Sequence, residues 1–102
     1  MWKVTYKLTH PTNIMTAQSP LPPEMLEIFN ELSVWAMEHG LLDQREEIIS
    51  PTEKHTIYIW DSKESQQAWR AKFIDKITYL ETHWPGQVAS SGITHTKEVG
   101  PI

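Results

Sequence analysis

The stretch His55-Thr56-Ile57-Tyr58-Ile59-Trp60-Asp61-Ser62-Lys63-Glu64, continued to Trp84, decides the reading of this chain. Residues 55 to 60 are dense in β-branched and aromatic side chains, the composition of a strand. Asp61, with Glu64 three residues on, has the form of a capping box that satisfies the first free N–H groups of a helix. Trp69, Phe73, Ile77, Leu80 and Trp84 then recur at helical spacing and lay one apolar stripe along that helix. A strand feeding directly into a long amphipathic helix is half of a β-α-β unit.

Outward from this stretch, Trp2, Val4, Tyr6 and Leu8 alternate with Lys3, Thr5, Lys7 and Thr9. Strict period two predicts a strand with one apolar and one polar face, ended by His10-Pro11. Residues 11 to 23 hold four prolines and no clear period, which predicts a loop that could serve as a lid. Pro22 and Pro23 open a helix carrying Met25, Ile28, Phe29, Leu32, Trp35, Ala36 and His39 at helical spacing, with Gly40 as its cap. Arg45 to Ser50 is expected as a second strand. Pro85-Gly86 is expected to end the second helix, and Gln87 to Val99 to form a last, polar strand weakened by Gly92.

The order is β-α-β-β-α-β over a single domain, residues 1 to 102. Two interleaved right-handed crossovers give a four-stranded antiparallel sheet of order 4-1-3-2, with two helices on one face. That is the ferredoxin-like α+β arrangement.

Composition narrows the function classes. The chain of 102 residues has 39% hydrophobic residues and five tryptophans, which fits one folded domain. It has no cysteine, so disulfides and thiolate metal sites are excluded. A reducing compartment fits, and a cytoplasmic protein is expected, since no apolar run has membrane-spanning length and the N-terminus lacks a signal peptide's apolar centre. The net charge is −4, with Glu24, Glu27, Glu31, Glu38, Asp43, Glu46, Glu47 and Glu53 set against Arg45 alone in the middle of the chain. Such a surface repels phosphate backbones, so nucleic acid is not expected as a partner, and without an apolar run of spanning length neither is a membrane.

In this topology the first and third strands are central. Ile57 and Ile59 share one face of the third, Tyr58 and Trp60 the other, yet helices cover one face only. Taking Ile57 and Ile59 as helix-facing leaves Tyr58 and Trp60 on the open face. Large aromatics there are costly to leave wet, at about 25 cal/mol per Å² of apolar area, so a second copy of the chain is the expected cover.

With its length, its β-α-β-β-α-β order, Trp2 to Leu8 opening directly as a strand and the two-sided His55 to Trp60, the chain resembles the dimeric α+β barrel proteins. That superfamily includes cofactor-independent monooxygenases of the antibiotic-biosynthesis type. The resemblance implies a homodimer paired sheet to sheet, a cavity between sheet and helices, and no cofactor. It carries over no catalytic residue. The same topology also belongs to the RNA-recognition domain, which would stack bases on Tyr58 and Trp60. Against that reading, residues 55 to 62 lack that domain's glycine-aromatic motif, and the charge has the wrong sign.

No nucleophile elbow, zinc-binding helix or glycine-rich phosphate loop is present. Histidines remain. His39 and His83 fall in the last turns of helices, where the dipole favours a cation. The topology brings His10, His55, His83 and Trp84 toward one edge of the sheet, with Met25 at the start of the first helix nearby. If His10 and His55 both face the helices, they would line a pocket mouth beneath the 11–23 loop. Ordinary strand-end and helix-end roles, acid-base chemistry and zinc binding all stay open for them. No metal is expected, because nothing in the spacing demands one. Trp35, Trp69 and Phe73 are read as packing. The function expected is binding of a small apolar or aromatic molecule between sheet and helices, with a cofactor-independent monooxygenase-like reaction as its enzymatic form. A structural or regulatory dimer without a pocket is the alternative.

Overall fold

The computed structural model describes residues 1–16 and 19–102. Residues 17 and 18, inside the expected 11–23 loop, lie outside the described residues. The elements are β1 (Trp2–Thr9), α1 (Pro23–Glu38), β2 (Leu41–Ile48), β3 (Glu53–Trp60), α2 (Lys63–Lys72), α3 (Ile74–Ser90) and β4 (Thr94–Pro101). The strands form one antiparallel sheet of order β2-β3-β1-β4, the expected ferredoxin-like topology read from its other edge.

The second helix of the sequence reading is two helices. They meet at Phe73, whose φ of −110° and ψ of 30° leave the helical region. Hydrogen bonds continue across the break, from Phe73 N–H to the Trp69 carbonyl and from Ile77 N–H to the Phe73 carbonyl. The apolar stripe therefore survives it. No proline or glycine marks the position in the sequence. The cap of α2 is Ser62 rather than Asp61, with Ser62 Oγ accepting the Ser65 N–H at 3.1 Å.

Pro85-Gly86 does not end a helix: α3 runs through it to Ser90. An interior proline, through its missing N–H and its ring's clash with the preceding turn, costs about 3 kcal/mol, and burying Val88 against Leu8 and Ile93 works against that cost. Gly92, at φ +76°, then turns the chain toward β4, with the Ile93 N–H bonded to the Val88 carbonyl. β4 accordingly starts at Thr94, later than expected, and β2 starts at Leu41, earlier than expected. A bulge at Leu42 places Leu41 opposite Trp60 and Asp43 opposite Ile59. Without that extra residue Leu41 and Asp43 would share a face. With it, Leu41 enters the core and Asp43 reaches the other side.

The register corrects the faces assigned to β3. Val4 stands opposite Tyr58 and Trp2 opposite Trp60, so these aromatics share the helix-covered face with the apolar side of β1. Trp60 is 3% exposed and packs with Val4, Ala36 and Leu41. Tyr58 and Trp60 are thus core residues, not an interface on the open face. Ile57 and Ile59 take the open face, beside Thr5 and Lys3.

Candidate functional site

Between sheet and helices the structure assembles rings. Tyr6 of β1 meets Tyr58 of β3 edge-on, with ring centres 6.1 Å apart. On its other side Tyr6 meets Trp84 of α3 at 5.7 Å. Trp84 in turn lies edge-on to His95 of β4 at 4.6 Å, and the Lys97 ammonium sits 5.5 Å from the centre of the Tyr6 ring. His95 and Lys97 reach this layer because their partners across β1 are Leu8 and Tyr6. Burial, with smaller contributions from Tyr6 and Glu46, pushes the Tyr58 phenol up to about 12, so it remains a neutral hydroxyl. A layer of this kind can hold a flat apolar molecule by stacking and orient one oxygen by a phenol, an imidazole or an ammonium.

Trp84 lies on the helix side, against Tyr6. His10 is buried at the end of β1, and its Nε2 is the one fully buried side-chain polar atom without a protein partner among the described residues. His55 lies on the opposite face, across from Lys7, with Nε2 2.8 Å from Glu53 Oε2. The pairing of His10 with His55 at one pocket mouth therefore fails on register. His83 is exposed on α3 against the Tyr79 ring. Met25, 1% exposed, packs with Leu32, Ile77 and Leu80, and Trp84 packs against that same cluster. The expected loop is tied down by the Ile14 N–H to the Pro51 carbonyl and by Leu21 against the helices.

The sequence assigns Tyr6, His95 and Lys97 to no site, and it expects Tyr58 on the open face as a dimer contact rather than in this layer. Parity placed Tyr6 toward the helices. His95 and Lys97 could be placed there only once the start of β4 was known.

The open face is polar around Ile57 and Ile59. Lys7 pairs with Glu98 at 2.8 Å, and Arg45 pairs with Asp43 and with Glu47. Depressions of about 220 Å³ and 250 Å³ lie along the β1–β4 seam, the first by Lys7, Thr9 and Thr96, the second by Lys3, Thr5 and Gly100. Among the described residues no three His, Asp or Glu side chains converge as a metal site, and no helix is long and apolar enough to cross a membrane.

Burial, then the nearby Lys54 ammonium, lowers the His10 imidazole below its ordinary value of about 6.5. The unfolded chain then binds this proton more readily than the folded one. Stability is expected to fall as pH drops below about 6.5, until the folded-state value is passed. Denaturant melts at pH 7.5 and 5.5 check this. The difference should shrink in His10→Gln, and an unchanged difference would show that other groups cause it.

No protein-family model matches the chain, and no curated protein matches it. Among solved structures, SnoaB, a cofactor-independent oxygenase from Streptomyces nogalater, overlays with a TM-score of 0.53 at 12% identity, covering 99% of this chain and 91% of that one. A mutant of SnoaB overlays at 0.54 with the same identity and coverage. An antibiotic biosynthesis monooxygenase overlays at 0.50 and 15% identity, covering 100% of this chain and 98% of that one. At these identities the likeness is one of fold. The resemblance expected from the sequence, to ferredoxin-like structures of the antibiotic-biosynthesis-monooxygenase type, holds at that level.

Proposed function

We propose that the protein binds a small aromatic molecule between sheet and helices and works as a homodimer joined through its open sheet face. The observation that carries the ligand reading is the half-buried layer of Tyr6, Tyr58 and Trp84, edged by His95 and Lys97. A phenol or an aromatic acid suits it. The rings stack on the apolar body, while neutral Tyr58 and cationic Lys97 recognise an oxygen. A cofactor-independent, monooxygenase-like reaction is the enzymatic form of this reading, in line with what SnoaB is described as doing on the same fold. His10 and Trp84 stay in the proposed ligand surroundings; His55 and His83 do not.

A second reading has its own support. The rings fill much of the layer, and both depressions lie on the open face. That favours a structural or regulatory dimer without a ligand pocket.

Thermal-shift measurement with naphthols, aromatic acids and fatty acids separates the two. A ligand at a hundredfold excess over its Kd adds about 2.7 kcal/mol, which for a domain of this size raises Tm by roughly 10 °C or more. Tyr58→Phe is expected to cut that shift while leaving the ligand-free Tm nearly unchanged. No shift across the panel would leave the dimer reading alone.

A further inference from the structure

His10 is 8% exposed, and its buried Nε2 has no hydrogen-bond partner in the chain among the described residues. The backbone that carries the ring is held by the sheet. The His10 N–H bonds the Thr52 carbonyl at 2.7 Å, which continues the pairing of β1 with β3 one residue past Thr9 and Glu53. A buried polar atom without a partner bears the desolvation cost of that group in full. A ring fixed in this way therefore favours a hydrogen-bonding group supplied from outside the chain.

The register sets a charge beside it. Lys54 stands opposite Leu8, and Thr56 opposite Tyr6. Cross-strand partners share a face, so Lys54 and Thr56 rise on the side of Tyr6, with Lys54 about 7 Å along the strand from the Tyr6 row. Glu46, opposite Thr56 on β2, rises there too. The Lys54 ammonium is near enough to His10 to lower its imidazole. Its acid partner is Glu46, at 3.4 Å, longer than the roughly 2.8 Å of a close ammonium–carboxylate bond. The Lys54 side chain is 22% exposed and that of Glu46 58%, so the cation is sheltered and its carboxylate is free to swing into water.

We infer that Lys54 and His10 form an acid-binding end of the ring layer: a flat aromatic carboxylic acid lays its ring on Tyr6 and Trp84, and its carboxylate displaces Glu46 to accept from the Lys54 ammonium and the His10 Nε2–H. This rests on the ligand reading above and commits it to an acid over a neutral phenol. The layer reaches this end, because Tyr6 and Trp84 both pack on the cluster of Leu8, Val88 and Ile93, and Leu8 is the cross-strand partner of Lys54. The neutral imidazole donates from Nε2 and the ammonium from any of its three protons, so one carboxylate satisfies both. Lys97 has a different part. It is exposed over the Tyr6 ring, where water and salt screen its charge and let it discriminate little between acid and phenol.

The test titrates the full chain with naphthoic acid and with the naphthol substituted at the same carbon, by isothermal calorimetry at neutral pH. The wild type is expected to bind the acid about tenfold tighter than the naphthol. K54M should bring the two to within about twofold, whereas K97M should weaken both alike. E46Q, which removes the competing carboxylate, should tighten the acid about threefold and leave the naphthol unchanged. H10L should weaken the acid about fivefold, and H10Q, whose amide N–H replaces the Nε2–H, should keep most of the affinity. Circular dichroism checks that each variant folds, and in the wild type the ring resonances of His10 should move with the acid and stay in place with the naphthol. Equal wild-type affinities, an acid preference that survives K54M, or one that K97M removes instead overturns the acid site and leaves the aromatic-ligand reading standing. Binding of neither probe overturns both.

Discussion

Trp60→Lys is expected to unfold this protein outright rather than to separate two copies of it. Trp60 lies in the cluster of Val4, Ala36 and Leu41, its ring 5.4 Å from that of Trp69, whose indole N–H is held by the Leu32 carbonyl at 3.1 Å. Removing a buried aromatic side chain costs about 3–5 kcal/mol. An ammonium left there without a partner adds several more. Together these approach or exceed the 5–15 kcal/mol that hold a domain of this kind together. Near-ultraviolet circular dichroism and thermal melting check it, with Ile59→Lys as the comparison. Ile59 is the neighbouring residue but faces the other side of the sheet, so that variant should keep the fold. Cooperative melting of Trp60→Lys near the wild-type Tm would show that Trp60 is not in the core.

Gly40→Ala is expected to cost about 2–5 kcal/mol, although the change adds one methyl group. Gly40 joins α1 to β2 at φ +112°, a conformation that side chains rarely adopt. A Cβ built there lies 2.8 Å from Ser65 Cβ and 2.9 Å from Asp61 Oδ1. The Asp61 carboxylate can turn aside, but Ser65 Cβ is fixed by its backbone and cannot. The Asp61 N–H is bonded to the Gly40 carbonyl, and the Ser65 N–H is bonded to its cap Ser62. Backbone strain and overpacking therefore add. Gly86→Ala gives the opposite sign. It lies within α3 with nothing within 4 Å of a notional Cβ, so alanine there should stabilise by about 0.5–1 kcal/mol. Equal effects at the two positions in a denaturant melt would contradict this account.

The candidate site was legible in part. Alternation in Trp2 to Leu8 put Tyr6 and His10 on the helix side, and helical spacing put Trp84 opposite them. The expected partnership of His10 with His55 fails because it depended on the parity of β3. His95 and Lys97 lay hidden behind the boundary between α3 and β4. A proline and a glycine in sequence ordinarily end a helix, and here the burial of Val88 carries the helix past them.

By itself the sequence determined the order of strands and helical segments, apart from the break at Phe73, and with it the strand order of the sheet. Those follow from local periodicity and from the rule that parallel crossovers are right-handed. It also determined the faces of β1, where every second residue is polar. It could not determine the faces of β3, because Ile57 and Ile59 are as apolar as Tyr58 and Trp60. A strand apolar on both sides has no local preference between them. The tertiary structure decided it through pairing: Val4 stands opposite Tyr58, so the larger rings went under the helices. The same pairing set Lys54 opposite Leu8 and Glu46 opposite Thr56, on the side of Tyr6. Charges and rings far apart in the chain share a face only when the register aligns them, and register is a property of the assembled sheet.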